Sequence, residues 1–383
     1  MNKQTWKLAL IPALLMTLAA CSSNQAGAPA VTPGPENTAG AVEASAQPTV
    51  QPAPQPAATP APSTAPAASA VPVREIKPYK NISITDWRDD QTVVVSKAND
   101  KLGPIQSGEL AGSLPQSLYF FHLDTGEYEL IVEKDNMMLG DATLSADNKF
   151  LLYSEFSLGD PAYIIMDLGG KKPFTIKSDA TSGAMGAQWA DNDTVIGPDY
   201  SGGAYTATTS AKIAPVDGLS GDGLIVVRQI KDKIYYTSNS SDTLQTLDLK
   251  TKEKAALKLE RVGGVYPSPD EEQMLVLQNK DDGQVLLLCD TDGANQRTLA
   301  EGAELGGVSW SSDQRLVAYS VIREENGTRS STLYIYDLAA DKSTEITAGK
   351  GNLTTAWSPS GRDLAYTDWT EQGNNSGVVH LKY

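Results

Sequence analysis

Four residues whose types could perform hydrolysis lie close together near the end of the chain. The segment AWSPSGRDLAYTDW, residues 356–369, contains Ser358, Ser360, Arg362 and Asp363. A serine hydrolase needs a nucleophile, a base and a group that orients the base. The chain has two histidines, His122 and His380, and both lie in segments that predict β-strands. No Gly-x-Ser-x-Gly motif is present. We therefore predict no catalytic residue, and we interpret the segment as a hairpin turn.

A second segment, CDTDGANQ at residues 289–296, has part of the spacing of a calcium loop. Asp290, Asp292 and Asn295 alternate with small residues, but the required glycine and the closing glutamate are missing. No histidine and cysteine spacing is typical of zinc. Cys289 stands in an apolar run, which predicts a buried, unreactive thiol. The sequence thus predicts no cofactor and no metal, with calcium at this turn left open.

The charge of the chain is strongly negative. Its 47 acidic and 31 basic residues give a net charge of −16. Such a surface repels phosphate backbones, so we expect no nucleic-acid partner.

Similar segments recur along the C-terminal part of the chain. Each has an aromatic or apolar residue, a small polar turn and an alternating β-type run, as in ATLSADNKFLLYSEF, VYPSPDEEQMLVLQN, VSWSSDQRLVAYSV and TAWSPSGRDLAYTD. A third run follows most of them and ends in an aspartate, at Asp124, Asp167, Asp248, Asp290 and Asp337. Starts about 40–57 residues apart are close to the period of a four-stranded propeller blade.

The repeat predicts an all-β fold, a β-propeller of four-stranded antiparallel blades. We count seven units, with six as an alternative, that begin near Ile84, Ala142, Ala187, Leu224, Val265, Val308 and Thr355. The last unit has room for only three strands. We therefore expect Val73–Lys80 to complete it and close the ring, and we expect Trp357 to pack between blades.

These motifs resemble the Pro-Asp-type repeats of the TolB-like β-propeller family. The first half of the family's repeat, a turn and a second strand, is resembled by WSPSGRDLAYTD and YPSPDEEQMLVL in this chain. The second half is resembled by TLYIYDLAADKSTEIT and LLLCDTDGANQRTLAEG. The resemblance implies the fold and suggests an envelope-associated partner. It does not imply an activity, because propellers host many unrelated functions.

The N-terminus predicts export. Basic residues precede the apolar run LALIPALLMTLAA, which is short for a membrane span. The residues Leu18-Ala19-Ala20-Cys21 resemble the lipobox of bacterial lipoproteins, which implies cleavage before Cys21 and a lipid on its sulfur. Residues 22–73 are rich in proline and alanine and predict a disordered tether. We therefore divide the chain into a signal peptide (1–20), a lipidated cysteine with its tether (21–73) and a propeller (74–383).

The expected function follows from the anchor and the loops. Loops between second and third strands should share one face with the blade-to-blade connections. Three of them are expected to be long, Lys97–Gln116, Arg323–Ser331 and Thr370–Gly377. We predict a monomeric lipoprotein, anchored to the cell membrane and facing the periplasm or cell surface, that binds a protein or envelope component without catalysis. Two alternatives stay open, a hydrolase- or lactonase-type propeller enzyme and a small-ligand sensor, each using the central funnel.

Overall fold

The computed structural model describes residues 71–157, 159–177, 182–325, 327–370 and 373–382. Within these ranges the chain forms 28 β-strands. None of the described residues belongs to a helix long and apolar enough to cross a membrane. The predicted signal peptide, Cys21 and the predicted tether as far as residue 70 lie outside the described residues, so these assignments and the lipidation of Cys21 stay predictions.

The strands follow one another in groups of four. β1 is Val73–Lys80. Blade 1 has β2 (Ile82–Asp89), β3 (Thr92–Ala98), β4 (Gln116–His122) and β5 (Tyr128–Val132). Blade 2 has β6 (Met138–Leu144), β7 (Phe150–Phe156), β8 (Ala162–Asp167) and β9 (Lys172–Thr175). Blade 3 has β10 (Gln188–Trp189), β11 (Thr194–Pro198), β12 (Ala204–Thr208) and β13 (Ile213–Pro215). Blade 4 has β14 (Leu224–Ile230), β15 (Lys233–Ser238), β16 (Ser241–Asp248) and β17 (Lys254–Ala256). Blade 5 has β18 (Val262–Pro267), β19 (Gln273–Lys280), β20 (Gly283–Asp290) and β21 (Arg297–Gly302). Blade 6 has β22 (Glu304–Trp310), β23 (Leu316–Glu325), β24 (Thr328–Asp337) and β25 (Lys342–Gly349). Blade 7 has β26 (Asn352–Trp357), β27 (Asp363–Thr370) and β28 (Gly373–Leu381).

The sheet pairing is that of a β-propeller. Five sheets have four antiparallel strands each, and one eight-stranded sheet combines blades 1 and 2. A single parallel pair, Gln116 with Met138, joins its two halves. The predicted repeat starts fall in the first strand of each blade or, at Ala187, one residue before it. The described strands are thus compatible with seven blades, and the predicted fold class is confirmed.

The last blade closes as the sequence predicts. β1 pairs along β28 from Val73–Leu381 to Lys80–Asn375. The sheet order is therefore β1-β28-β27-β26, with one strand from the N-terminal side and three from the C-terminal side. This pairing covers an edge of β28 that would otherwise present free backbone groups.

The apolar core lies between the blades. Seven buried clusters are present in the described residues, and each combines side chains of two neighbouring blades. One of them joins blade 7 to blade 1 through Val378 and Ile84. Both faces of a middle strand are therefore buried, which explains continuous apolar runs such as Val285–Cys289 in β20.

Tryptophans at the ends of first strands link neighbouring blades. The indole nitrogens of Trp87, Trp189 and Trp310 donate to the carbonyls of Ala356, Thr143 and Tyr266, respectively, at 2.9–3.2 Å. Each acceptor lies on the first strand of the preceding blade. Trp357 packs between blades 6 and 7, as predicted, but its buried indole nitrogen has no hydrogen-bond partner among the residues that the structure describes.

Two of the three predicted long loops are wrong. Residues 99–115 do form a long connection between β3 and β4. Arg323–Ser331 instead continues the β23–β24 hairpin, with Glu325 opposite Thr328. Thr370–Gly377 likewise continues β27–β28, and Tyr366 pairs with Gly377. Both segments are polar, and the residues nearest the two hairpin ends are largely exposed, although Ser331 and Ser376 are buried. Composition therefore indicated loops where backbone pairing persists.

Candidate binding site

The serine-rich segment that suggested hydrolysis is a structural turn. Ser358 Oγ accepts the backbone N–H of Asp363 at 3.1 Å and lies 3.2 Å from Ser360 Oγ. The same arrangement recurs at Ser268, whose hydroxyl accepts the N–H of Gln273 and donates to Asp270. Blades 2 and 6 repeat it at Ser145 and Ser311. The buried serines therefore hold the turn between first and second strands, which is the predicted role.

His380 has a partner that the sequence analysis missed. Its Nδ1 lies 2.6 Å from Asp363 Oδ1, because the β27–β28 register places Asp363 opposite His380. Ser360 lines the same cavity, of about 490 Å³. The Ser360 hydroxyl contacts Ser358 and the Arg362 N–H, and no hydrogen bond joins it to His380. No signal in the sequence indicated this pair, because the β27–β28 register that creates it includes Thr370 opposite Gly373, within a segment expected to be a loop.

The remaining candidate residues serve local structure. His122 Nδ1 lies 3.4 Å from Thr92 Oγ1 on the neighbouring strand. Asp290 accepts the side-chain amide of Asn295 at 2.6 Å, and Asp292 accepts the Ala294 N–H at 2.8 Å. In the described ranges, no three histidine, cysteine, aspartate or glutamate side chains are placed to hold a metal ion.

The predicted burial of Cys289 is confirmed. The side chain is fully enclosed, and its thiol lies 3.9 Å from the Met274 carbonyl. Burial, together with the nearby Asp290, raises the pKa of the thiol to about 12. The thiolate, which is the reactive form, is therefore scarce at neutral pH.

A different cavity combines an accessible cation with apolar side chains. It has a volume of about 320 Å³ and is lined by the first strands of blades 3, 4 and 5. The first strands of blades 4 and 5 contact each other, as do those of blades 1 and 2, 5 and 6, 6 and 7, and 7 and 1. First strands therefore lie nearest the propeller axis. We call this space the channel cavity, defined by Gln188, Ile225, Arg228, Gly264 and Tyr266.

Side chains of the channel cavity also bind the blades together. The Gln188 amide donates to the Val227 carbonyl, and Arg228 Nε donates to the Val265 carbonyl at 3.1 Å. These bonds run from blade 3 to blade 4 and from blade 4 to blade 5. A Cβ at Gly264 would lie 2.9 Å from Tyr266 Oη, so a larger residue there would require the tyrosine ring to shift. The cavity is thus a defined feature of the strand framework.

Arg228 is a cation without a counter-charge. None of the described carboxylates lies within 4 Å of its guanidinium. Burial lowers its pKa to about 10, which still leaves the group protonated at neutral pH. Burial also raises the pKa of the Tyr266 hydroxyl, opposed by the nearby Arg228.

Exposed apolar side chains surround the mouth of the channel cavity. Ile225 is 59% exposed and Met185 is 46% exposed, and both line the cavity. Tyr200, 42% exposed, lies in the connection 199–203 between β11 and β12. That connection lies on the face of the propeller that also carries the connections 99–115 and 216–223. We call this face the loop face.

Comparisons with solved structures agree with the propeller fold. No family model matches the chain, and no curated protein sequence matches it. The chain is similar to an oligogalacturonate lyase from Vibrio parahaemolyticus, with 9% identity, TM-score 0.58, and coverage of 82% of this chain and 92% of that chain. It is also similar to the Cps50 (Swd1) β-propeller domain of Myceliophteria thermophila, with 11% identity, TM-score 0.54, and coverage of 81% and 98%. At these identities the likeness shows the fold alone.

Two further likenesses are weaker. TolB from Acinetobacter baumannii has 14% identity and TM-score 0.49, with coverage of 70% of this chain and 66% of that chain. The tricorn protease has 14% identity and TM-score 0.38, and this chain spans 27% of its length. The described strands and the two likenesses above a TM-score of 0.5 show a β-propeller, and the comparisons do not assign it a function.

Proposed function

We propose that the protein is a lipid-anchored, non-catalytic binding scaffold outside the cytoplasm. In this proposal Cys21 holds it to the cell membrane, and the monomeric propeller binds a protein or cell-envelope component through the loop face. The lipobox-like residues before Cys21 support the anchor. The TolB-like repeat sequences support an envelope location.

The observation that carries the binding role is the apolar rim of the channel cavity. Ile225 and Met185 are large apolar side chains exposed beside a concave site. Exposed apolar patches around a cavity are typical of ligand and partner sites. The rim stands on strands locked by bonds between blades, such as Gln188 to the Val227 carbonyl. A rigid framework with adaptable loops is a common basis for binding.

A small-ligand sensor is the second candidate, and the cavity itself favours it. A volume of about 320 Å³ would hold a small organic molecule rather than a folded partner. This candidate uses the same residues but predicts tight binding of a soluble compound. A propeller enzyme would use the funnel too, and it would be revealed by turnover of the bound compound.

Site-specific photocrosslinking in intact cells tests the binding role. A photoreactive amino acid replaces Ile225 on the loop face or, as a control in the same blade, Thr251 in the turn between β16 and β17 on the opposite face. Both positions are exposed. We expect a discrete crosslinked species from position 225 and none from position 251. Equal crosslinking at both positions, or none at position 225, would contradict binding through the loop face.

A further inference from the structure

The channel cavity holds two polar groups whose hydrogen-bonding capacity the protein leaves unused. Arg228 donates its Nε–H to the Val265 carbonyl, and its two terminal amino groups have no hydrogen-bond partner among the described residues. The Tyr266 hydroxyl likewise makes no hydrogen bond with them. Both side chains line the cavity, so their free N–H and O–H groups are accessible from the same space.

An arrangement of this kind is costly in an empty protein. The Arg228 guanidinium is only half-buried, but withdrawing part of a cation from water without a nearby anion is unfavourable, and such charges in proteins are normally paired. The hydrogen bond from Arg228 to a carbonyl of the next blade does not require a charged donor. Gln188, which is neutral, makes the equivalent bond from blade 3 to the Val227 carbonyl of blade 4. A neutral donor would therefore serve the structural role of Arg228. The charge itself indicates an anionic ligand.

We propose that Arg228 and Tyr266 bind a carboxylate group of the ligand that enters the channel cavity. This inference rests on the proposed binding role of the loop face and names the chemistry recognised there. The planar guanidinium can donate two parallel N–H bonds to the two carboxylate oxygens. The Tyr266 hydroxyl supplies a third donor to the same group.

Charge balance favours a carboxylate over a phosphate. One guanidinium matches the single charge of a carboxylate, whereas a phosphate monoester carries about −1.5 to −2 at neutral pH. The negative charge of the phosphate that one guanidinium does not neutralise would be repelled by a chain of net charge −16. The rest of the lining includes the apolar side chains of Met185, Pro198 and Ile225. The ligand should therefore carry an apolar group next to its carboxylate.

The space around the two donors is open because of small residues. Gly263 and Gly264 line the cavity opposite β14. A Cβ at Gly264 would clash with Tyr266 Oη at 2.9 Å and would displace the hydroxyl from its position. Because Gly264 has no side chain, it leaves space both for the Tyr266 hydroxyl and for a ligand.

A matched pair of probes tests the proposal without any mutation. The full-length purified protein is titrated with N-acetyl-phenylalanine and with N-acetyl-phenylalaninamide, which has the same shape but no charge, and binding is followed by saturation-transfer NMR. Because charge-assisted hydrogen bonds are worth more than neutral ones, the acid should bind at least about tenfold more tightly than the amide. Equal affinities, or no binding of the acid, would overturn the proposal.

Variants then assign the donors. Arg228→Gln should remove the preference for the acid, and Tyr266→Phe should weaken acid binding by about threefold to tenfold. Arg329→Gln is the control, since Arg329 lies at the β23–β24 hairpin on the same face and already pairs with Glu304 at 2.6 Å. It should bind the acid as the wild type does. Arg228→Lys keeps the charge and should retain part of the preference even if Arg228→Gln folds poorly. Unchanged binding by Arg228→Gln would overturn the assignment.

The source of the carboxylate is decided by a third arm. A tetrapeptide ending in phenylalanine is compared with its C-terminal amide and with the free N-acetyl amino acid. Tighter binding of the peptide acid assigns the carboxylate to a peptide partner, and tighter binding of the small acid assigns it to a metabolite-like ligand. If position 225 still crosslinks a partner in cells when the acid shows no preference, the carboxylate proposal fails while the binding role of the loop face stands.

Discussion

Single residues show where sequence reasoning succeeds and where it stops. The sequence predicts a hairpin turn at Ser358 and Ser360, and the hydrogen bonds of this turn and of the repeated turn at Ser268 and Asp270 agree. Repetition made that inference possible. Arg228 has no such guide, since its acceptor is a carbonyl 37 residues away on the next blade. Contacts between blades depend on how the ring closes, which no local pattern encodes.

Asp86 provides a pH-dependent test at this scale. Its carboxylate accepts the N–H groups of Trp87 and of Leu144, at 2.8 and 2.7 Å, and so joins blades 1 and 2. Burial nevertheless raises its pKa from 3.8 to about 6. The folded state therefore keeps the proton longer than the unfolded state. As pH rises from about 4 to about 6, this group should lower the free energy of unfolding by about 1–3 kcal/mol.

The variant Asp86→Asn should remove that contribution. Urea denaturation at pH 4, 5, 6 and 7 measures the free energy of unfolding of both proteins. The difference, variant minus wild type, should increase by about 1–3 kcal/mol between pH 4 and pH 6 and level off by about pH 7. Parallel curves over the whole range would show that Asp86 does not titrate as described.

At the scale of elements, the sequence predicts the strands whose motif recurs from blade to blade, but it does not predict where those strands end. The first strand of each blade and the closing role of Val73–Lys80 followed from spacing and from the missing fourth strand. Four of the five repeat aspartates end a strand, while β4 ends at His122, two residues before Asp124. The hairpin ends near 325 and 370 were mistaken for loops because polar, exposed strands have no burial pattern to mark them.

Indole bonds between blades can be measured with a matched pair of variants. Trp87 donates to the Ala356 carbonyl at 2.9 Å, whereas the buried Trp357 nitrogen has no partner. Trp87→Phe and Trp357→Phe lose similar apolar area. Only Trp87→Phe loses a hydrogen bond, so it should lower the free energy of unfolding by about 1 kcal/mol more than Trp357→Phe does. Equal losses in chemical denaturation would contradict a stabilising role for the indole bond.

Deletion of Val73–Lys80 tests the closing strand. The pairing of β1 along β28 and its packing on the core of blade 7 would both be lost. We expect the free energy of unfolding to fall by several kcal/mol, roughly 3–5, with a lower melting temperature. Deletion of residues 52–59, eight residues of the expected tether, is the control and should leave both values unchanged. An unchanged melting temperature after removal of β1 would refute its role in closure.

At the scale of the whole molecule, the sequence predicts the propeller fold. For the function it leaves three classes open: a binding scaffold, a propeller enzyme and a small-ligand sensor. Seven interblade clusters and a closed last blade form a rigid frame, which the repeated motifs already implied. The channel cavity could not be predicted, because Gln188, Arg228 and Tyr266 come from three blades and meet only after the ring forms. Composition indicated an acidic chain, yet Arg228, near the propeller axis, has no carboxylate partner among the described residues.

In the proposed function the propeller works while Cys21 holds it at a membrane. Fractionation of cells that express the full chain tests it most directly. The wild type and Ser22→Ala, the control beside the cysteine, should sediment with membranes and enter a detergent phase, because acyl chains drive stable insertion. Cys21→Ser should leave the membrane fraction. Retention of Cys21→Ser in membranes to the wild-type extent would contradict the account.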